Sequence, residues 1–165
     1  VSSSSHITGQ QKQFLDRSLR LMDRTRTPFV TTIHHKPMYT TSSGHSSSTT
    51  LRSAWGPVMA QYGVNLDITG HVHSYESTRP IKAGTTTVTT DAAGGTRFIV
   101  FGGGGAPLYN FGDEQPWLGK REKTRGFGIL KVSATSMKWT AIRRENSVIE
   151  TFTVPARPAP SLAAE

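Results

Sequence analysis

Cysteine is absent from the chain, and that one absence removes disulfides, thiolate zinc sites and cysteine nucleophiles together. It fixes no compartment, because many secreted proteins also lack disulfides. Long apolar runs are missing too. No stretch approaches the roughly 20 residues needed to cross a bilayer, so an integral helical membrane protein is not expected. No basic segment followed by an apolar one opens the chain, which begins VSSSSHITGQ. A secretory leader is therefore expected either to have been removed or to lie outside these residues. Acidic side chains are scarce, with 11 Asp and Glu against 19 Lys and Arg and a net charge of +8. Anions are the natural partners of such a surface, whether phosphate esters, nucleic acid or acidic lipid. The cations are scattered (Arg17, Arg20, Arg24, Arg26; Lys120, Arg121, Lys123, Arg125; Arg143, Arg144) rather than gathered in one block. With 165 residues, 35% of them hydrophobic, one domain with one respectable core is expected. No internal repeat is present.

What is there falls into two halves. Thr8 and Gln11 have capping-box spacing, and Phe14, Leu15, Leu19 and Met22 follow on one face of a 3.6-residue period. That helix should end near Pro28. The β-branched run FVTTIHH, from Phe29, suits a strand. A long Ser/Thr/Gly loop follows, of a length that is usually functional or disordered. Leu51 to Tyr62 reads as a second helix with Trp55, Val58 and Met59 buried, broken or restarted at Gly56-Pro57 and capped by Gly63. VNLDIT is a second short strand. Helix, strand, helix, strand points to an α/β sheet with crossover helices. Five strand-like runs then appear (TTTVTT, TRFIVF, GFGILKV, MKWTAI, VIETFTV), the last three joined through the compact turns ATS and RENS, so this half should be a largely antiparallel sheet. The tail from 155 to 165 is rich in proline and alanine and is expected to be disordered.

Five of the six histidines form two clusters: His34, His35 and His45, then His71 and His73. Each cluster lies at or just after the C-terminal end of an expected strand, the edge where open α/β sheets bind ligands. His71 and His73 would project to one side if the chain stays extended. Neutral imidazoles held so suit zinc, iron or manganese, and Gly70 would allow a close backbone approach. Adjacent His34 and His35 must split between the two faces of a strand. Taken singly, His45 reads as surface polarity and the glycines of FGGGGAPLY (Phe101 to Tyr109) as a strand-end turn, since that run lacks the lysine and hydroxyl of a nucleotide loop.

HHKPMY and GHVHSYE resemble the last two metal-binding blocks of the purple acid phosphatases, within the calcineurin-like metallophosphoesterases. GQQKQFLDRSLR, QYGVNLDITGHVH, FIVFGGGGAPLY and GFGILKV resemble the same family in the same order, so the similarity spans roughly residues 8 to 154. The resemblance implies an α/β fold: the C-terminal half of an α/β/β/α sandwich of two mixed sheets, with residues 1 to 154 forming that portion. It also implies a binuclear metal centre, Fe(III) with Fe(II), Zn(II) or Mn(II), that hydrolyses phosphate monoesters at acidic pH. By this resemblance His35 and His71 would bind the divalent ion and His73 the ferric ion. His45 would contact the substrate phosphate or help protonate the leaving group; the resemblance assigns His34 no role, and it is expected to be structural or to support a metal ligand. Thr32 stands where the family usually has valine, and Ser77 where it commonly has arginine, with Arg79 two residues on.

The family's earlier blocks, Gly-Asp-x-Gly, Gly-Asp-x-x-Tyr and Gly-Asn-His-Asp/Glu, do not occur, and Asp67, Asp91 and Asp113 sit in other contexts. The resemblance therefore implies an N-terminal half of the catalytic domain as partner, a phosphate monoester as substrate, secretion by analogy, and neither membrane nor nucleic acid. The chain alone should be weakly active or inactive. Two other readings stay open: a truncated or non-catalytic phosphoesterase relative, and a basic polyanion-binding module using Trp139, Arg143 and Arg144.

Overall fold

The computed structural model describes residues 4–82 and 88–156. Two helices open the chain, α1 (Ser4–Thr8) and α2 (Gln10–Arg20). The expected capping box does not form, because Thr8 lies in the helical backbone of α1, whereas an N-cap residue needs an extended one. Gly9 occupies the N-cap instead, without a side-chain cap. Leu19 is buried, and Leu15 and Met22 pack beside it. Phe14 does not share that face: it is 74% exposed. It aligns instead with Leu21, seven residues on and also exposed, in a second apolar stripe.

Strand β1 (Thr31–His34) leads through a long loop to α3 (Thr49–Gln61), whose N-cap Ser48 accepts from the Leu51 amide. The expected break at Gly56-Pro57 does not occur, and α3 runs through Pro57. The carbonyl that loses its donor belongs to Ser53 on the exposed side of the helix, where water can serve it. Gly63, at φ 63°, ends α3 as expected. Its amide bonds to Ala60 and that of Val64 to Met59, the paired closure of a Schellman motif.

Strand β2 (Leu66–Thr69) follows, then β3 (Tyr75–Thr78), β4 (Arg97–Phe101) and β5 (Leu118–Glu122). These form a five-stranded mixed sheet in the order β1-β2-β4-β3-β5, with β1, β2 and β4 parallel and β3 antiparallel to both its neighbours. The TRFIVF strand thus joins the first-half sheet rather than an antiparallel second half. β3 and β5 were not legible as strands. The TTTVTT expectation falls largely outside the described residues, and Val88 to Thr90 contribute only an isolated bridge between Ile81 and Thr90. Strands β6 (Gly126–Val132), β7 (Ser136–Arg143) and β8 (Val148–Pro155) form the second sheet, an antiparallel meander through the two expected turns. The tail beyond 156 lies outside the described residues.

The layers follow from strand alternation. Phe98 of β4 faces the helices with Leu19, Val58 and Met59, while Ile99 faces the second sheet with Leu66, Tyr75, Met137 and Trp139. The result is helices on a mixed sheet on an antiparallel sheet, the architecture expected for the C-terminal half of a two-sheet sandwich. Between the sheets, Glu150 accepts from the Tyr75 hydroxyl at 2.7 Å and the Ser77 hydroxyl at 2.6 Å, and the Trp139 indole donates to Tyr75 at 3.1 Å. Burial and the Glu150 carboxylate both push the Tyr75 phenol well above its usual range, so it stays a donor. Ser77 is therefore part of the inter-sheet contact. A stacking face for nucleic acid built on Trp139 does not exist, since its ring is in the core and Arg143 is engaged with Glu122.

Candidate functional site

The parallel strands β1, β2 and β4 deliver their C-terminal ends to one edge, and His35, Gly70-His71 and Gly102 emerge there together. His34 and His35 split as their adjacency requires. The His34 ring turns inward, edge-on to Trp55, with Nε2 3.0 Å from the buried Asp67 carboxylate. Asp67 also accepts from Thr32 at 2.6 Å. His34 is a structural partner of Asp67.

His35 turns outward, and its Nε2 lies 3.0 Å from Nδ1 of His71. The 71–74 segment is bent rather than extended, so the expectation that His71 and His73 project to one side fails. His71 sits at φ 61°, a left-handed conformation that a non-glycine residue adopts at a cost. Its ring meets His35 on one side and stacks on His45 at 4.2 Å on the other. Burial, and then the like charges of His45, His35, Lys36 and His73, depress its pKa and favour the neutral imidazole. Gly70 is not the residue that permits close approach, because a Cβ there would meet nothing nearer than 3.9 Å. Gly102 is: a Cβ on it would fall 2.3 Å from the Val72 carbonyl, to which the Gly102 amide bonds.

His73 goes to a different neighbour. Its Nδ1 is 2.9 Å from the Pro107 carbonyl and its ring stacks on Tyr109 at 4.4 Å. A carbonyl only accepts, so Nδ1 carries the proton and Nε2 keeps its lone pair. Tyr109 also reaches His45, with its hydroxyl 3.3 Å from Nε2. A Cβ on Gly44 would sit 2.8 Å from the Tyr109 ring, so the Ser/Gly loop presses directly on this tyrosine. The glycine run 102–105 thus serves as the expected strand-end turn, yet it also brings Pro107 and Tyr109 over the histidines. Sequence reading missed that role, and only the proximity of the run to a strand end hinted at it.

The four histidines singled out for chemistry are therefore brought to one edge, and His34 is kept out. Two nitrogens 3.0 Å apart have the spacing of imidazoles sharing one ion at about 2.0–2.1 Å each. The donor chemistry and tautomers fit such a group. Among the described residues, however, no set of three or more His, Cys, Asp or Glu side chains closes a metal cage. Further donors for such an ion would have to come from outside the described residues.

Strand-end histidines on a helix-backed pair of sheets place the fold with the C-terminal half of the metallophosphoesterases. Residues 95–151 match the family model described as iron/zinc purple acid phosphatase-like protein C. Purple acid phosphatase 18 of Arabidopsis thaliana is 29% identical over 141 residues, covering 82% of this chain and 31% of that protein. Acid phosphatase A of Cryphonectria parasitica is 38% identical over 74 residues, 45% of this chain and 15% of that protein. The purple acid phosphatase from yellow lupin (Lupinus luteus) seeds superimposes with a TM-score of 0.81 at 23% identity, covering 94% of this chain and 32% of that one. In these matches the chain is similar to purple acid phosphatases, and its fold is that of the C-terminal part of one of them. It spans under a third of the length of these relatives.

Proposed function

We propose that this chain is the histidine-bearing part of an acid phosphatase that hydrolyses phosphate monoesters at a binuclear metal centre. The observation that carries the reading is the convergence of His35 Nε2 and His71 Nδ1 at 3.0 Å with His45 stacked on the same ring. His35 and His71 would hold the divalent ion through these nitrogens, and His73 the ferric ion through Nε2. Such a pair of ions supplies an activated water and a clamp for phosphate oxygens. The chain's own contribution is orientation and proton transfer. His45, on the same side as His71 and held by Tyr109, is placed to meet the phosphate and to give a proton to the leaving oxygen as its ester bond breaks. Phosphate release from an aryl phosphate by the full-length protein at mildly acidic pH tests the reading, and no release would overturn it.

The other donors belong to the N-terminal half of the catalytic domain, and the fold has a place for that half. Among the described residues β1 is an edge strand paired only with β2. Ile33 on it is 77% exposed, and with Phe14 it lines an apolar groove of about 480 Å³ beside α2. An open edge next to exposed apolar side chains invites a further strand. Relatives more than twice as long have the additional chain to cover it. Ile33→Lys should then destabilise the full-length protein by about 1.5–3 kcal/mol, the cost of losing a buried isoleucine. In this chain alone it should change stability by less than about 0.5 kcal/mol. Urea unfolding of both proteins decides, and equal effects would place the groove in solvent. Metal analysis gives a further check. After dialysis this chain should retain at most one loosely held zinc ion, and two tightly held ions would refute the division of ligands.

A further inference from the structure

We propose that Glu76 is the positioning residue that sets His45 against His71, and so governs proton delivery to the leaving group. The inference rests on the acid phosphatase reading above. Glu76 is 2% exposed in the middle of β3, three residues after His73. A buried carboxylate needs several donors, and among the described residues those of Glu76 come from the loop that carries His45. One oxygen accepts from the Thr40 hydroxyl. The other accepts from both the amide and the hydroxyl of Thr41, each at 2.7 Å. The Thr41 hydroxyl in turn accepts from Arg121 at 3.2 Å, so the guanidinium answers the carboxylate through it.

From this anchor the loop closes on itself. The Thr40 amide donates to the Ser47 hydroxyl at 3.0 Å, and that hydroxyl donates back to the Thr40 carbonyl at 3.1 Å. His45 lies inside the closed turn and comes out stacked on His71. The two sides of the catalytic edge are thus pinned to each other through one side chain, because β3 begins where the His71-His73 bend ends. In Glu76→Gln the amide keeps the shape, but one oxygen becomes a donor facing donors. The loop would be released by an ångström or so, a displacement that costs on the order of 100-fold when it falls on a reacting group.

Leaving-group dependence separates positioning from bulk stability. An aryl phosphate with a good leaving group needs little protonation, whereas an alkyl phosphate depends on it. In the full-length protein, Glu76→Gln should lower kcat for an alkyl phosphate about 10-fold more than for 4-nitrophenyl phosphate. Ser77→Ala, next on the same strand and bonded to Glu150 instead, should reduce both alike. A second readout needs no turnover: the nuclear Overhauser effect between the rings of His45 and His71 in this chain should be lost in Glu76→Gln and kept in Ser77→Ala. If Glu76→Gln does not fold, Thr41→Val, which keeps the amide bond and removes the hydroxyl, should show the same selectivity in weaker form. Equal losses on the two substrates together with an intact ring contact would overturn the proposal. Absence of phosphate release by the unmodified protein would overturn the acid phosphatase reading instead, and the ring contact would still decide the role of Glu76.

Discussion

Replacing His71 with alanine in the full-length protein is expected to lower kcat/KM for an aryl phosphate by more than about 100-fold. Residues that merely hydrogen-bond to metal ligands cost about 10–100-fold when removed, and His71 is placed to do more than that. Its Nδ1 lies 3.0 Å from His35, and its ring is the surface on which His45 stacks. On the proposed reading alanine would delete a metal donor and leave His45 without its support, so binding and proton delivery would both suffer. The left-handed backbone at φ 61° makes the position costly for any residue except glycine, a cost that fits a functional demand at this turn. His34→Ala is the contrasting variant. His34 touches Asp67 and Trp55, not the other histidines. Among the described residues, removing it leaves the buried carboxylate with the Thr32 bond alone, so stability should fall by about 1–3 kcal/mol while kcat/KM at low temperature changes less than tenfold. Steady-state kinetics beside thermal unfolding would show the separation. Similar activity losses in the two variants would remove His71 from the chemistry.

The difference between these two neighbouring clusters shows what could be read from the chain. Strand ends, their β-branched runs and the histidines on them were visible because a short apolar strand and its terminal polar residues are local features. Which way each ring turns was not. His34 and His35 split by simple alternation, but the bend at His71 depends on Gly102 letting the Val72 carbonyl approach, and that contact joins distant segments. His45 looked like loop polarity because its placement rests on Glu76 and Tyr109, neither of them near it in sequence. Strands β3 and β5 were hidden for a related reason. YEST buries four residues, three of them with polar or charged side chains, each satisfied by a distant partner: Glu150, Thr40, Thr41 or the Phe98 amide. LGKRE carries three charges along an edge strand. Neither segment has the apolar alternation that identifies a strand from local pattern alone. Phe14 misled in the opposite direction, since an apolar residue at helical spacing reads as core even where it lines an open groove.

Trp139→Ala should be the most destabilising single change in the second sheet, by about 3–5 kcal/mol, as for other buried aromatic-to-alanine substitutions. Trp139 is 4% exposed, fills the space between the sheets with Met137, Ile99 and Tyr75, and donates its indole N–H to the Tyr75 hydroxyl. Against a domain stability of about 5–15 kcal/mol such a loss is large. The same ring explains Gly128, a diagonal neighbour on β6 that pairs with Ala141, two residues along from Trp139. A Cβ at that glycine would fall 1.9 Å from the indole, so Gly128→Ala must displace the ring or the strand. In the Trp139→Ala background the space is empty, and alanine suits a strand better than glycine. The four proteins of this cycle should therefore be strongly non-additive in urea unfolding: Gly128→Ala destabilises the unmodified chain and is neutral or stabilising once Trp139 is gone. Additive effects would mean that the ring does not rest on Gly128. The consequence reaches the histidine-bearing edge, because Tyr75 is the first residue of β3 and follows His73 by two positions. Trp139 and Glu150 hold that tyrosine from the second sheet, so loosening this contact frees the start of the strand on which the histidine bend is anchored.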